Sequence, residues 1–261
     1  MYVHPLKDLL GRIFNRSAEM RKSFYVMLDF FLLRSWHVHR ELKRWKKTAS
    51  PQSHILEAGS GFGQNIYYLS RMSKSWNILG MDINDDQVSD CNRFFYKMGL
   101  NHVVFRTGNV ENMNEKNAFD LILTVDLMEH IEKDQQVFTN FYNALKKDGT
   151  LILTTPIDKT VTYYEPTKRF RNGYTFTELK EKLRLAGFHH VKMHYSYSVT
   201  GRIVQILCLR GPLFLTKFSK FMIFLLIPYY ILIFPFIMVM NYIDTYKPHR
   251  SGHGMIVKAM K

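Results

Sequence analysis

Between residues 50 and 197 short apolar runs alternate with segments that carry an apolar residue every three or four positions. A short apolar run bounded by turn residues reads as a buried strand, and the longer segments read as amphipathic helices. Their alternation predicts a mainly parallel sheet with helices packed on it. Residues 188–197 read as a sixth strand and 253–259 as a short seventh. Thr175 with Glu178 three positions on is a capping box that opens a helix, and Gly187 closes it. Residues 5–47 read as helices, with Phe24, Met27, Leu28, Phe31 and Leu32 on one stripe. Residues 48–53 read as a loop. One segment breaks the pattern: residues 221–243 carry no charged side chain and have no polar face.

The most informative local pattern lies at residues 54–63, His-Ile-Leu-Glu-Ala-Gly-Ser-Gly-Phe-Gly. A strand runs into Glu57 and then into Gly59, Gly61 and Gly63, which let the backbone turn tightly and approach a ligand closely. A second apolar run, residues 78–82, ends in Asp82, followed by Ile83. A carboxylate at a second strand end suits a ribose diol. Dinucleotide sites read G-x-G-x-x-G and place a pyrophosphate on the helix N-terminus. Glu57 would repel that group and would suit a cationic amino group, which points to S-adenosyl-L-methionine.

The glycine pattern resembles motif I of the class I methyltransferases, and the resemblance continues downstream. Residues 106–111, Arg-Thr-Gly-Asn-Val-Glu, look like the third-strand loop of that family, which implies that Asn109 and Val110 meet the adenine. Residues 119–130, ending Asp-Leu-Met-Glu-His, look like its fourth strand and motif. Residues 145–156 look like the fifth strand with its terminal proline, and residues 174–188 like the last helix and its exit. The resemblance implies an α/β, seven-stranded Rossmann-like sheet, mainly parallel with the last strand antiparallel. It also implies S-adenosylmethionine as cofactor, with Asp126 near the methionine moiety. His130 is the candidate general base, since its ordinary pKa lies near physiological pH. Against that stands a plain capping or orienting role for the loop. Glu129 is placed to orient His130. The Glu-His element resembles that of the ubiquinone-pathway O-methyltransferases, some of which use a metal, but two ligands are too few to claim a metal site here. The loop at residues 157–174 is rich in aromatic and basic residues, and in this family it helps wall the acceptor pocket. Tyr163, Tyr164 and Tyr174 are the candidates to meet an acceptor ring, with Lys168, Arg169 and Arg171 for an anionic group. A solvated surface loop is the alternative.

Composition adds the partners. The chain has 261 residues, 46% of them hydrophobic, and a net charge of +14. Residues 1–47 hold eleven Lys/Arg against four Asp/Glu, half of that excess. Such a balance favours anionic partners, either acidic lipid headgroups or nucleic acid. Cys91 and Cys208 offer neither a disulfide framework nor metal spacing, which fits a reducing compartment. Residues 24–33 are interrupted by Asp29 and do not read as a secretory signal.

Residues 221–243 are long enough for a helix to cross a bilayer core of about 30 Å. Pro228 and Pro235 are expected to kink or split it. A seventh strand at 253–259 would return the chain to the sheet, so both ends of the apolar stretch would lie on one side of a membrane. Basic residues flank both ends, among them Arg202, Arg210, Lys247 and Arg250, which places both in the cytoplasm. The expected arrangement is a bent apolar hairpin that dips into the cytoplasmic leaflet, with Tyr229, Tyr230, Tyr242 and Tyr246 at headgroup depth. A hairpin packed on protein and a true span are the alternatives. The domain reading is a helical cap at 1–49, a cofactor-binding core at 50–200, an apolar insertion at 201–250 and the last strand at 251–261. The expected function is a membrane-associated methyltransferase of a lipid-soluble or lipid-linked small molecule, acting on oxygen. Suitable acceptors are a quinone, a phenolic lipid, a polyene headgroup or a lipid-linked sugar. Charge suggests RNA methylation as the competing function, but no Asn/Asp-Pro-Pro-Tyr/Phe motif and no separate RNA-binding module is present. A non-catalytic membrane-anchored relative is the third class.

Overall fold

The computed structural model describes residues 17–158, 170–210 and 222–261. Two helices, α1 (Ala18–Phe31) and α2 (Leu33–Lys46), precede the sheet. Then follow β1 (His54–Ala58), α3 (Gln64–Met72), β2 (Asn77–Asp82), α4 (Asp85–Lys97), β3 (Val103–Thr107), β4 (Phe119–Val125), α5 (Asp134–Ala144) and β5 (Leu145–Pro156). The chain closes with α6 (Phe176–Leu185), β6 (His189–Ser196), α7 (Val199–Gln205), α8 (Met222–Tyr246) and β7 (Gly254–Met260). The strands form one sheet in the order β3-β2-β1-β4-β5-β7-β6. The pairings from β3 to β5 are parallel, and β7 is antiparallel to β5 and β6. The expected seventh strand and its direction are therefore borne out.

The central strands are buried on both faces, and successive side chains enter different cores. Leu56, Ile122, Leu151, Leu153 and Val257 pack under α5 and α6. Ile55, Leu121, Leu123, Ile152 and Ile256 pack under the helices of the other face. This alternation follows from the two-residue period of a strand. Each fully buried Leu or Ile contributes about 1.5–3 kcal/mol. At Gly80 a Cβ would stand 2.5 Å from Phe105 and 2.6 Å from Ile66, so a glycine is needed for close helix–strand packing.

The first two helices pack against the face of the sheet that carries α3 and α4. Phe24 and Tyr25 of α1 are buried against Phe62, Tyr67 and Phe94. Arg21 fastens α1 across this face: Nη1 reaches Asp90 at 2.5 Å and Nη2 the Phe62 carbonyl at 2.9 Å. The basic residues that follow this stripe are not all solvated. Arg40 is buried, and its Nη1 donates to the Thr245 carbonyl in α8.

The excursion between β6 and β7 is a helical hairpin. One arm is α7, extended by a wider π-turn at Ile206–Arg210, and the other is α8. Of the two expected outcomes, the helix is not split: α8 runs as one helix through Pro228 and Pro235. The neighbouring arm supplies the support: the hydroxyls of Tyr229 and Tyr230 donate to the carbonyls of Leu207 (2.9 Å) and Cys208 (2.7 Å). Asp244 staples the foot of α8 to the domain. Its carboxylate accepts from His37 Nε2 (3.0 Å), from the backbone of Tyr197 (3.1 Å), Ser198 (2.9 Å) and Gly201 (3.0 Å), and from Thr200 Oγ1 (3.0 Å). Among the described residues no helix is long and apolar enough to cross a membrane.

Candidate active site

At the carboxyl end of β1 the chain turns through Gly59, Gly61 and Gly63 with φ of 75°, 51° and 83°. That region penalises any residue with a Cβ, so the three glycines are what allow the turn. The N–H groups of Gly59 and Ser60 donate to the Met81 carbonyl at 2.8 and 3.1 Å, which locks the turn to β2. Asp82 receives the Gly61 N–H on Oδ2 (2.8 Å) and the Asn84 N–H on Oδ1 (3.0 Å). A carboxylate offers about four lone-pair sites, so each oxygen keeps capacity for a hydroxyl. Ile83, an apolar side chain, is 57% exposed beside it. The Gly108 N–H donates to the Asp82 carbonyl (2.9 Å) and draws the loop after β3 alongside. In that loop Asn109 Oδ1 accepts from the Glu111 N–H (2.9 Å). The Val110 side chain is buried, and its carbonyl accepts from Asn140 (2.9 Å), so this residue faces the core.

Acidic groups converge here. Glu57 is buried and accepts from Asn65 Nδ2 at 2.7 Å. Burial pushes its carboxyl up to about 8, with Asp82 adding to the rise against the Asn65 hydrogen bond. Asp126 ends β4 with φ of 47°, an uncommon position for a residue with a side chain. Its Oδ1 accepts from Thr154 Oγ1 at 2.7 Å, and its Oδ2 pairs with Arg34 of α2. Burial works against the Arg34 charge, but Asp126 foremost, with Tyr197 and Glu129, holds the guanidinium protonated. Tyr197, at the exit of β6, also has a positive φ of 55°. Burial pushes its phenol up to about 12, with Arg34 acting in the opposite sense.

After β4 a single 3₁₀ turn, Met128–His130, carries both catalytic candidates. Glu129 is fully buried, and its Oε2 lies 3.5 Å from Thr155 Oγ1. Its carbonyl accepts from the N–H groups of Phe170 (3.1 Å) and Arg171 (3.3 Å), so Glu129 fastens the far end of the loop that follows β5. His130 is half-buried, with its N–H on the Leu127 carbonyl at 2.9 Å. Tyr174, expected on a pocket wall, stands in the core instead. It is fully buried, and its hydroxyl lies 2.8 Å from Asp134 Oδ2 and 3.1 Å from the Met128 carbonyl. The cause is the pairing of residue 174 beside Ile157, which turns its ring in toward Phe138. Tyr163, Tyr164, Lys168 and Arg169 lie outside the described residues. Arg171 is held by Asp134 (3.0 Å) and Glu178 (2.7 Å). Among the described residues no group of three or more His, Cys, Asp or Glu is arranged to hold a metal ion.

A family model for a methyltransferase domain matches residues 49–194, more than half of the chain. The chain belongs to this methyltransferase family. It is similar to sterol 24-C-methyltransferase of Schizosaccharomyces pombe, 26% identical over 113 residues, which make up 42% of this chain and 30% of that one. It is also similar to phosphoethanolamine N-methyltransferase 1 of Triticum aestivum, 24% identical over 155 residues, 52% of this chain and 28% of the relative. The chain thus spans under a third of the length of these two relatives. Among solved structures it superposes on phosphoethanolamine N-methyltransferase 2 of Haemonchus contortus in complex with S-adenosyl-L-methionine, with a TM-score of 0.60 and 17% identity. That alignment covers 99% of this chain and 60% of the other. The [4+2]-cyclase SpnF shares the fold too, with a TM-score of 0.55 and 18% identity, covering 80% of this chain and 75% of that one.

Of the residues named from sequence, this methyltransferase gathers Glu57, the three glycines, Asp82, Ile83, Asn109 and Asp126 at the carboxyl ends of β1 to β4. Sequence reasoning missed Arg34, Asn65 and Tyr197. Asn65 sits in the first turn of the helix after the glycines, a position that carried a usable signal. Arg34 is one of eleven basic residues in the first 47, and nothing in its neighbours separates it from the rest.

Proposed function

We propose that this chain is an S-adenosylmethionine-dependent methyltransferase that acts at the cytoplasmic face of a membrane on a lipid-soluble or lipid-linked small molecule, on oxygen. The donor set supports the cofactor. Asp82 keeps lone pairs for a ribose diol, Ile83 offers an exposed apolar surface beside it, and Glu57 is a buried carboxyl suited to a cationic amine. Arg34, the cation among these acids, is suited to the carboxylate of the same amino-acid group. When bound, the cofactor supplies an activated methyl on a sulfonium, so placement of the acceptor accounts for much of the rate. His130 then takes the acceptor hydroxyl proton on a ring nitrogen, and Glu129 holds the turn that aims it.

The observation that carries the membrane part is the outer face of α8. Ile231, Leu232, Pro235, Phe236, Val239 and Tyr242 are all exposed and share one side of the helix. Phe30 and Phe31, four and three residues before Arg34, pack against Phe234 of the same helix (6.1 and 5.6 Å between ring centroids). The apolar face thus adjoins the helices that cap the cofactor site. The test has two arms. Calorimetry with S-adenosylmethionine checks the cofactor, and no binding would end the enzymatic reading. Mass analysis of lipid extracts from cells lacking the gene checks the acceptor: species lighter by one methylene support it, and an unchanged lipid profile counts against it.

A further inference from the structure

A second concave surface lies away from the cofactor site, between α2 and the outer face of β6 and β7. It is a cleft of about 380 Å³, lined by Glu41, Arg44, His190, Lys192, His194 and Lys258 together with two apolar residues of β7. Its charge is one-sided. Lys192 and Lys258 are direct cross-strand partners, and His194 pairs with Ile256 on the same face. Like charges directly opposite one another destabilise a sheet. Among the described residues neither lysine has an ion-pair partner. The one acid, Glu41, is buried and already shared: its Oε1 accepts from Arg40 Nε and from Arg44 Nη1, both at 2.9 Å. The carboxylate therefore anchors two guanidiniums and leaves the cleft positive. Burial, with Arg40, Arg44 and Lys192 around it, also disfavours the charged form of His194.

We infer that this cleft is a binding site for a phosphate group, held by Lys192, Lys258 and Arg44. The three cations stand on two walls of one cleft, β6–β7 and α2, and a bound phosphate would relieve the opposed lysines. The cleft adjoins the foot of α8, because Arg40, one helical turn before Arg44, donates to the Thr245 carbonyl. A phosphate of an anionic phospholipid headgroup is the occupant that this position favours, and free phosphate has the same chemistry. This inference does not rest on the methyltransferase reading, since no cleft residue belongs to the cofactor site.

The experiment measures the full-length protein on vesicles of pure phosphatidylcholine and on vesicles that also contain phosphatidylglycerol, with calorimetry against inorganic phosphate alongside. The wild type is expected to bind the anionic vesicles about tenfold or more tightly than the neutral ones. Lys192→Ala with Lys258→Ala removes that preference, and the paired Arg substitutions keep it. Lys74→Ala with Lys97→Ala removes the same charge from exposed positions near the β2–β3 edge and keeps it too. Lysine-dependent binding of inorganic phosphate without a vesicle preference supports the same site with a soluble occupant. The inference is overturned if the Lys192/Lys258 variant matches wild type in both arms, or if the Lys74/Lys97 variant loses as much. Calorimetry with S-adenosylmethionine on each variant is expected to show unchanged affinity, which keeps a failure here separate from a failure of the proposed function.

Discussion

Asp82 has two duties, and they make its removal costly. It receives the backbone N–H groups of Gly61 and Asn84, and in the proposed function its remaining lone pairs meet the ribose diol. Asp82→Ala is expected to weaken S-adenosylmethionine binding at least about tenfold by calorimetry, because charge-assisted hydrogen bonds are each worth roughly 1.5–3 kcal/mol. Glu57 gives a pH signature. Its carboxyl stands at about 8 in the folded protein, above the ordinary carboxylate range, so near neutrality it is mostly protonated. A bound ammonium favours the ionised form. Cofactor affinity should therefore rise with pH, by up to tenfold per unit below about 8, and level off above it. Glu57→Gln should flatten the curve. The same elevation has the opposite effect on stability: the contribution of the protonated carboxyl is full at acid pH and is lost as pH rises through about 8. His130 makes a kinetic prediction. Ala at this position should lower turnover about 10²–10⁴-fold with cofactor affinity unchanged, and wild-type single-turnover rates would remove it as the base.

At the scale of elements, the foot of α8 is held by one carboxylate. Asp244 sits inside a ring of donors from α2, the β6–α7 connector and α7, and those donors hold its pKa well below the usual range despite its burial. Asp244→Ala leaves buried N–H and O–H groups unpaired, so it should cost about 3–5 kcal/mol in denaturant unfolding. The pH dependence follows from the sign of the shift. A depressed carboxylate stabilises the fold above its ordinary pKa and is lost only as pH falls toward the lower, folded value. His37, also pushed down by burial, destabilises the fold as pH drops below about 6.5. The strands were legible in the sequence, because buried strands read as continuous apolar runs bounded by turns, whereas the direction of β7 was implied only by the resemblance to the class I methyltransferases. The capping box was legible for a similarly local reason: Thr175 Oγ1 accepts from the Glu178 N–H at 3.1 Å. Asp244 was not, since its partners are 43 to 207 residues away in sequence. Tyr174 was misplaced for the same reason: aromatic composition says nothing about which side of the chain a ring takes. A split at the prolines did not follow, because the packing of a neighbouring arm is invisible to helix propensity.

Across the whole molecule, the hairpin and the cap form one apolar flank beside the cofactor site. The inner side of α8 is satisfied by protein: Ile237 is fully buried in a small core with Val204 and Cys208, and Asn241 donates to the Phe30 carbonyl at 3.3 Å. Among the described residues the outer side has no such cover, with Ile231 72% and Leu232 80% exposed. Exposed apolar residues scattered singly are ordinary, but a stripe along one helix face marks an interaction surface. Tyr242 and Tyr246, their rings tilted against one another with centroids 4.8 Å apart near the basic residues Lys247 and Arg250, suit the polar boundary of a bilayer, where such rings collect. The test is to place charge on that face without touching the inner one. Ile231→Asp with Leu232→Asp should reduce flotation with neutral vesicles at least about tenfold, since each charge would have to enter the acyl boundary at a cost of roughly 2–3 kcal/mol. Unfolding midpoint and S-adenosylmethionine affinity should stay within error, because both side chains point away from the core and from Asp82. Flotation equal to wild type, with both controls intact, would show that α8 does not lie on the membrane and would turn the search for its partner toward protein.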